Sequence, residues 1–441
     1  MDRPGVLLVT FGCQMNKLDS EIAEASLLRH GFRLVAKPEE AAAIIFNTCA
    51  VREHAEERVV SRLAQLRPLQ RERPGLVLGI IGCMAQEHGR SFLERHAHLS
   101  LVAGTGFFPD LGALVERALA GERIAMTGAG RDPVAADRDP RAGHVHPRAY
   151  VAVQRGCSMG CTYCIVPATR GPWRSRSIEE ILAECRRVLA EGARDITLLG
   201  QTVDAWGRDL RPPVPFAELL RRVHGLEGLE RLHFLTSHPA FLDRETARCF
   251  GELDRLARWV HLPAQSGSDR VLAAMRRGYT VERYLEVVDS LRDRGEEVAV
   301  ASDFIVGFPG EREEDHRATL ALMRRVGFSQ CYVFKYSPRP GTAAAGLETL
   351  PGEVVRRRHR EALALHEELA AARHRALRGS LQRVLVEGPS PRDPERLIGR
   401  SRQHRLVHFP RVAEDLTGRE VAVRVVDSTP LTLAGTLEEP H

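Results

Sequence analysis

In two long blocks of this chain, short apolar runs alternate with amphipathic helical stretches. A parallel sheet with helices on its faces buries such a pattern. The first block, residues 1–120, has strand-like runs at Val6–Phe11, Ala43–Phe46 and Leu76–Ile81. Helical patterns fall between them, over Leu18–Leu28 and from about Arg52 to Leu66, where Val59, Leu63 and Leu66 recur at three-to-four spacing. The second block, residues 148–378, predicts strands at Tyr150–Gln154, Asp195–Leu199, Arg231–Thr236, Trp259–Leu262, Val298–Val306 and Cys331–Tyr336. Ser177 with Glu180 three residues on is a capping-box signature for a helix Ser177–Ala190. Six such strands with helices outside predict a partial (β/α) barrel, with its chemistry on loops at the C-terminal strand ends. A basic helix from Glu353 to about Arg378 ends the block. Residues 121–147, rich in Gly, Pro, Asp and Arg, read as a linker. Residues 379–441 carry short β-rich runs at Gln382–Glu387, Arg405–Phe409, Glu420–Val426 and Leu431–Leu437, and predict a small β-barrel. The expected fold class is therefore α/β: a doubly wound parallel-sheet domain, a partial barrel and a small β-barrel.

No apolar run reaches the ~18 residues of a membrane span. Val6–Phe11 is too short for the apolar region of a signal peptide, so the expected location is cytoplasmic. Nine Cys in such a chain argue against a disulfide framework and for thiolate chemistry or metal binding. Cys157, Cys161 and Cys164 lie together on the loop after Tyr150–Gln154. Zinc normally closes with four ligands, and no fourth Cys or His follows at close spacing. A 4Fe-4S cluster held by three Cys keeps one iron open to a substrate or cofactor; a zinc knuckle is the bland alternative. Cys13, Cys49 and Cys83 each follow one of the first three strands. Parallel strands end on one edge, where open α/β sheets bind ligands, so three thiolates there suit a second cluster. Three small buried residues at strand ends are the alternative. Cys185, Cys249 and Cys331 read as structural.

The Cys-x3-Cys-x2-Cys spacing resembles the radical S-adenosylmethionine superfamily. With Gly12-Cys13-Gln14-Met15-Asn16, Asn47-Thr48-Cys49-Ala50-Val51-Arg52-Glu53, Gly82-Cys83-Met84-Ala85-Gln86, Thr236-Ser237-His238-Pro239 and Tyr336-Ser337-Pro338-Arg339-Pro340-Gly341-Thr342, the chain resembles the methylthiotransferases over nearly its whole length. These carry an N-terminal three-Cys domain, a radical barrel and a C-terminal RNA-binding TRAM barrel. The resemblance implies two 4Fe-4S clusters, on Cys157, Cys161 and Cys164 and on Cys13, Cys49 and Cys83, with S-adenosylmethionine as cofactor. It also implies an electron donor such as flavodoxin or ferredoxin, a sulfur source, and addition of a methylthio group to C2 of N6-isopentenyladenosine at position 37 of tRNA. Rival readings are a ribosomal-protein aspartate as acceptor, threonylcarbamoyl-adenosine tRNA, and a non-catalytic iron–sulfur RNA-binding regulator. A monomer is expected. The chain departs from the family pattern at Ala168 (tyrosine), at Thr202, Asp204 and Trp206 (two asparagines and a tyrosine) and at His404 (asparagine).

Gly200, Gln201, Ser237 and Gln265 follow barrel strands and are candidates to touch S-adenosylmethionine. With 63 basic and 58 acidic residues, the net charge of +5 does not announce a nucleic-acid binder, so that case rests on local clusters. Arg155, Arg170, Arg174 and Arg176 flank the cysteine loop, with Trp173 among them, and Arg next to an aromatic suits phosphate and base contacts. Arg400, Arg402 and Arg405 with His404, and Arg356 to Arg360 on the preceding helix, are the other tRNA candidates.

Overall fold

The computed structural model describes residues 3–49, 53–130, 147–293 and 297–438. Most of the expected linker, residues 131–146, lies outside them, as do Ala50, Val51 and Arg52 of the second cysteine string. The described residues form two compact units. One is drawn from 1–144, 155–159 and 164–174; the other is drawn from 145–154, 160–163 and 175–441.

The first unit is built on a six-stranded, wholly parallel sheet of β1 (Gly5–Thr10), β2 (Arg33–Leu34), β3 (Ala43–Thr48), β4 (Val77–Gly82), β5 (Leu101–Ala103) and β6 (Ile124–Met126). The strand order is β2-β1-β3-β4-β5-β6, the doubly wound order, with its switch point between β1 and β3. Every residue of β3 and β4 is buried, which explains their unbroken apolar runs. The sequence shows only β1, β3 and β4, because two- and three-residue strands carry no readable period. β6 extends this domain past the expected boundary at 120.

The second unit holds β7 (Arg148–Ala152), then, beyond the two-residue strands β8 (Gln154–Arg155) and β9 (Arg174–Ser175), β10 (Asp195–Leu199), β11 (Arg231–Leu235), β12 (Trp259–His261), β13 (Ala299–Val306) and β14 (Gln330–Lys335). They form two parallel sheets, β11-β10-β7 and β12-β13-β14, around one large apolar core that includes Val151, Leu198, Phe234, Val260 and Phe304. This is the expected partial barrel. The helix Ile178–Ala190 starts at the capping box Ser177/Glu180. Cys185, Cys249 and Cys331 are buried, as expected of structural cysteines.

Helix Gly352–Ala376 leads to a closed barrel of β15 (Leu381–Pro389), β16 (Arg396–Ser401), β17 (Leu406–Pro410), β18 (Glu420–Ser428) and β19 (Thr432–Leu437). β16, absent from the sequence reading, carries Arg400 of the expected basic patch, with Arg402, His404 and Arg405 just beyond it. The barrel docks on the N-terminal ends of β7, β10, β11 and β12. Arg231, 2% exposed, donates to the Arg400 carbonyl at 2.5 Å and pairs with Glu420 at 2.6 Å. Arg148 bridges Asp195 at 2.8 Å and Glu387 at 3.1 Å. The His404 ring stacks on Trp259 at 4.4 Å. His404 has φ 63, a left-handed conformation in which Asn is favoured and His tolerated.

Candidate active site

In the first unit the three N-terminal cysteines sit at strand-to-helix junctions beside the switch point. Cys13 is the N-cap of helix Gln14–Arg29, Cys49 follows β3, and Cys83 opens helix Cys83–Arg95. Helix N-termini favour thiolates. Cys13 hydrogen-bonds Cys49, which, with the charge of Arg170, draws its thiol down to about 6 against the opposing effect of burial. Burial pushes the Cys83 thiol up, although Arg170 hydrogen-bonds it.

Two buried asparagines lace these junctions together. Asn16 donates to the Thr48 carbonyl at 2.9 Å and to Asn47 Oδ1 at 3.3 Å, and its Oδ1 accepts from Cys13 Sγ at 3.2 Å. Asn47 donates to the Asn16 carbonyl and to Ser20 Oγ, both at 2.9 Å, while Thr48 Oγ1 donates to the Ile81 carbonyl at 2.6 Å. The glycines before Cys13 and Cys83 are demanded by the same closeness. A Cβ on Gly12 (φ +120) would lie 2.6 Å from Cys49 Cβ, and one on Gly82 (φ +96) would lie 2.6 Å from Asn47 Oδ1. Sequence position alone thus predicts the common sheet edge of the three cysteines, but the lacing asparagines become visible only in the fold.

Two arginines from the segment 155–170 meet the wholly buried Asp19 carboxylate, Arg155 at 2.8 Å and Arg170 at 2.7 Å. Arg170, expected on RNA, is instead held beside Cys13 and Cys83. A cavity of about 290 Å³ adjoins this arrangement, lined by Gln86, Thr105, Arg155, Ala168, Arg170 and Arg174. Ala168, smaller than the family's tyrosine, forms part of its wall. Arg174 is exposed. Among the described residues no three His, Cys, Asp or Glu side chains stand close enough for a single metal ion. The donors gathered at this sheet edge are thiols, the ligand type that iron–sulfur clusters take.

The loop of the second cysteine set is shared between the two units. Cys157 belongs to the first, where its N–H donates to the Gly171 carbonyl at 3.0 Å and its Sγ accepts from the Met159 N–H at 3.4 Å. Cys164 also belongs to the first unit, whereas Cys161, in the second, accepts from Arg277 at 3.3 Å.

In the second unit the C-terminal strand ends carry polar atoms that are buried and unpartnered. They are both amide atoms of Gln154, Gln201 Oε1, Ser237 Oγ and His238 Nε2. His238 Nδ1 accepts from the Ala240 N–H at 3.2 Å, so Nε2 carries the ring proton and is an orphan donor. Burial drops this imidazole to about 2, keeping it neutral. Thr236 (φ 69) and Gln265 (φ 67) take left-handed conformations, strained for a β-branched Thr. Buried polar groups left without a protein partner suit a polar ligand, and a zwitterionic cofactor such as S-adenosylmethionine fits them. Gly200, Gln201, Ser237 and Gln265 lie at these strand ends; Gln154 and His238 join them. A Gln and a His closing apolar strand runs were the available signal.

The remaining arginines are engaged within the second unit. Arg176 pairs with Glu184 at 2.5 Å. Arg400 pairs with Glu387 at 3.1 Å, Arg402 with Glu420 at 3.7 Å, and Arg405, 6% exposed, with Glu297 at 3.1 Å. Arg358 is buried against Glu311, and Arg357 bridges Glu313 and Glu361. The clusters that look like a basic surface in sequence are largely ion-pair networks that dock the β-barrel and the long helix. Asp204 is buried and accepts from the His238 N–H with both oxygens, at 3.0 and 2.9 Å. Trp206, also buried, donates to the Arg176 carbonyl at 2.9 Å.

Residues 151–323 match the radical SAM superfamily, residues 5–104 match the "Uncharacterized protein family UPF0004", and residues 375–437 match the TRAM domain. The chain is 42% identical over 433 residues to the tRNA-2-methylthio-N(6)-dimethylallyladenosine synthase of Moorella thermoacetica, covering 97% of each chain. It is 40% identical over 440 residues to the protein of that name from Carboxydothermus hydrogenoformans, covering 98% of each. Its fold is similar to that of the radical S-adenosylmethionine methyltransferase TsrM from Kitasatospora setae (TM-score 0.56, 16% identity, 80% of this chain and 77% of that one). It is also similar to the cobalamin-dependent radical enzyme OxsB (TM-score 0.52, 13% identity, 78% and 55%). The radical SAM domain brings with it a 4Fe-4S cluster and S-adenosylmethionine. The chain belongs to the tRNA-2-methylthio-N(6)-dimethylallyladenosine synthase family of radical SAM methylthiotransferases.

Proposed function

We propose that this chain adds a methylthio group to C2 of N6-isopentenyladenosine at position 37 of tRNA, using two 4Fe-4S clusters. The observation that carries the reading is the lacing of Cys13, Cys49 and Cys83 at three strand-to-helix junctions of one sheet edge. Three cysteine-bearing junctions tied together by buried Asn16, Asn47 and Thr48 are more than chance core residues. When bound, the cluster on Cys157, Cys161 and Cys164 supplies the electron that cleaves S-adenosylmethionine to a hydrogen-abstracting radical, and the cluster on Cys13, Cys49 and Cys83 supplies sulfur. An unreactive C2–H needs such an abstractor.

The protein's own part is positional. Gln154, Gln201, Ser237 and His238 orient the cofactor through buried donors and acceptors. The Asp19–Arg155–Arg170 group holds one net positive charge beside the N-terminal thiolates. Arg174 at the cavity is our candidate for the tRNA backbone, and Arg402 a weaker one. An electron donor of the flavodoxin or ferredoxin kind, a sulfur source, a cytoplasmic location and a monomeric state complete the proposal. Along this chain, no described helix is long and apolar enough to cross a membrane.

The test is nucleoside mass spectrometry of tRNA from a host lacking its own enzyme. This chain restores 2-methylthio-N6-isopentenyladenosine and the Cys157→Ala variant does not. A mass gain on a ribosomal protein instead, with tRNA unchanged, would contradict the reading.

A further inference from the structure

Arg277 is a buried cation without a carboxylate beside it. It is 6% exposed, and among the described residues the titratable groups that face it are Tyr163, Tyr279 and Cys161, with no carboxylate among them. Its guanidinium donates to Cys161 Sγ at 3.3 Å, to Tyr279 Oη at 3.3 Å and to the Pro263 carbonyl at 3.4 Å. Tyr279 is itself fixed, donating to the Ala264 carbonyl at 2.8 Å. The preceding residue, Arg276, has φ 56, so the chain turns sharply where Arg277 enters the interior. The same segment clamps the cysteine loop: Thr162 donates from its N–H to the Met275 carbonyl at 3.1 Å and from Oγ1 to the Ala274 carbonyl at 3.0 Å.

A buried charge with no counter-charge is strongly destabilising, and the groups around Arg277 do not include a permanent one. A four-iron core with two positive charges on three thiolates carries one net negative charge, and a second after taking up an electron. We propose that Arg277 is a positioning residue for the cluster on Cys157, Cys161 and Cys164: it fixes the Cys161 sulfur and supplies the counter-charge that eases reduction. Asp19 makes the contrast in the other unit, where the two guanidiniums share a carboxylate. The inference rests on the radical SAM cluster alone and is independent of a second one.

The experiment uses full-length chain carrying Cys13→Ala, Cys49→Ala and Cys83→Ala as parent, with Arg277→Gln and Arg277→Lys added separately. Each is reconstituted anaerobically and titrated by EPR-monitored potentiometry. Arg277→Gln shifts the midpoint to more negative potential, because a hydrogen bond and a charge near the sulfur are lost, and Arg277→Lys recovers most of the shift. In the metal-free chain, Arg277→Gln melts higher than the parent, since an uncompensated charge has left the interior. If Arg277→Gln binds no iron, retention of the parent's iron by Arg277→Lys supports the inference, and equal loss in both overturns it. An unchanged midpoint in all three proteins, or a metal-free Arg277→Gln that melts lower than its parent, also overturns it. A parent that holds no iron refutes the cluster assignment itself.

Discussion

Replacing Asp204 by Asn should make the protein more stable, and increasingly so as pH rises. Asp204 is wholly buried with both oxygens on one backbone N–H, and burial raises its carboxyl from 3.8 to about 8. The folded chain therefore holds a proton on Asp204 at pH values where the unfolded chain has lost it. Stability falls as pH rises from the unfolded value toward the folded one, at ~1.4 kcal/mol per pH unit. Between pH 5 and pH 8 that is up to ~4 kcal/mol. The amide of the Asp204→Asn variant carries no titratable proton and restores the residue usual in the family. Near pH 4 the two proteins should melt alike; by pH 8 the variant should melt several degrees higher, at ~2–4 °C per kcal/mol. Thermal unfolding followed by circular dichroism at unit pH steps measures the difference, and all other titrating groups cancel in it. Parallel melting curves across this range would refute the reasoning.

Other outcomes follow from single contacts. Asn47→Ala strands the partners of three hydrogen bonds in a buried site, and should cost ~2–4 kcal/mol in urea unfolding while lowering iron content. Glu420→Gln leaves the buried Arg231 without its carboxylate; we expect ~3 kcal/mol lost at the β-barrel dock and faster limited proteolysis near residues 376–381. Ser237→Ala removes an unpartnered hydroxyl, so the melting temperature should hold while S-adenosylmethionine binding to the reconstituted protein weakens by about tenfold, ~1.4 kcal/mol, in equilibrium dialysis.

Long buried strands and the Ser177 capping box were legible in the sequence because their signals are local. β3 and β4 are built on unbroken apolar runs, β10 alternates Asp195 and Thr197 with Ile196 and Leu198, and Ser177 meets Glu180 within one turn. So was the placing of Cys13, Cys49 and Cys83 on one sheet edge, since parallel strands deliver their ends there. β2, β5 and β6 were not, being two or three residues long. β16 was hidden because two of its three outward residues, Arg396 and Arg400 either side of Ile398, made the segment look like a basic surface. The fate of those arginines depends on partners far along the chain: Arg400 on Glu387, Arg405 on Glu297, Arg170 on Asp19. No window of sequence contains both members of the latter two pairs. Gln154 and His238 were missed for the same reason, since being unpartnered is a property of the fold.

The central claim is that two separate thiol sets hold two clusters. It is tested most directly by anaerobic reconstitution, counting iron and sulfide per chain in the wild type and in the Cys13→Ala/Cys49→Ala/Cys83→Ala variant. The account predicts about eight irons falling to about four. About four in both proteins would contradict it: the N-terminal cysteines would then be structural, and sulfur insertion would lose its source.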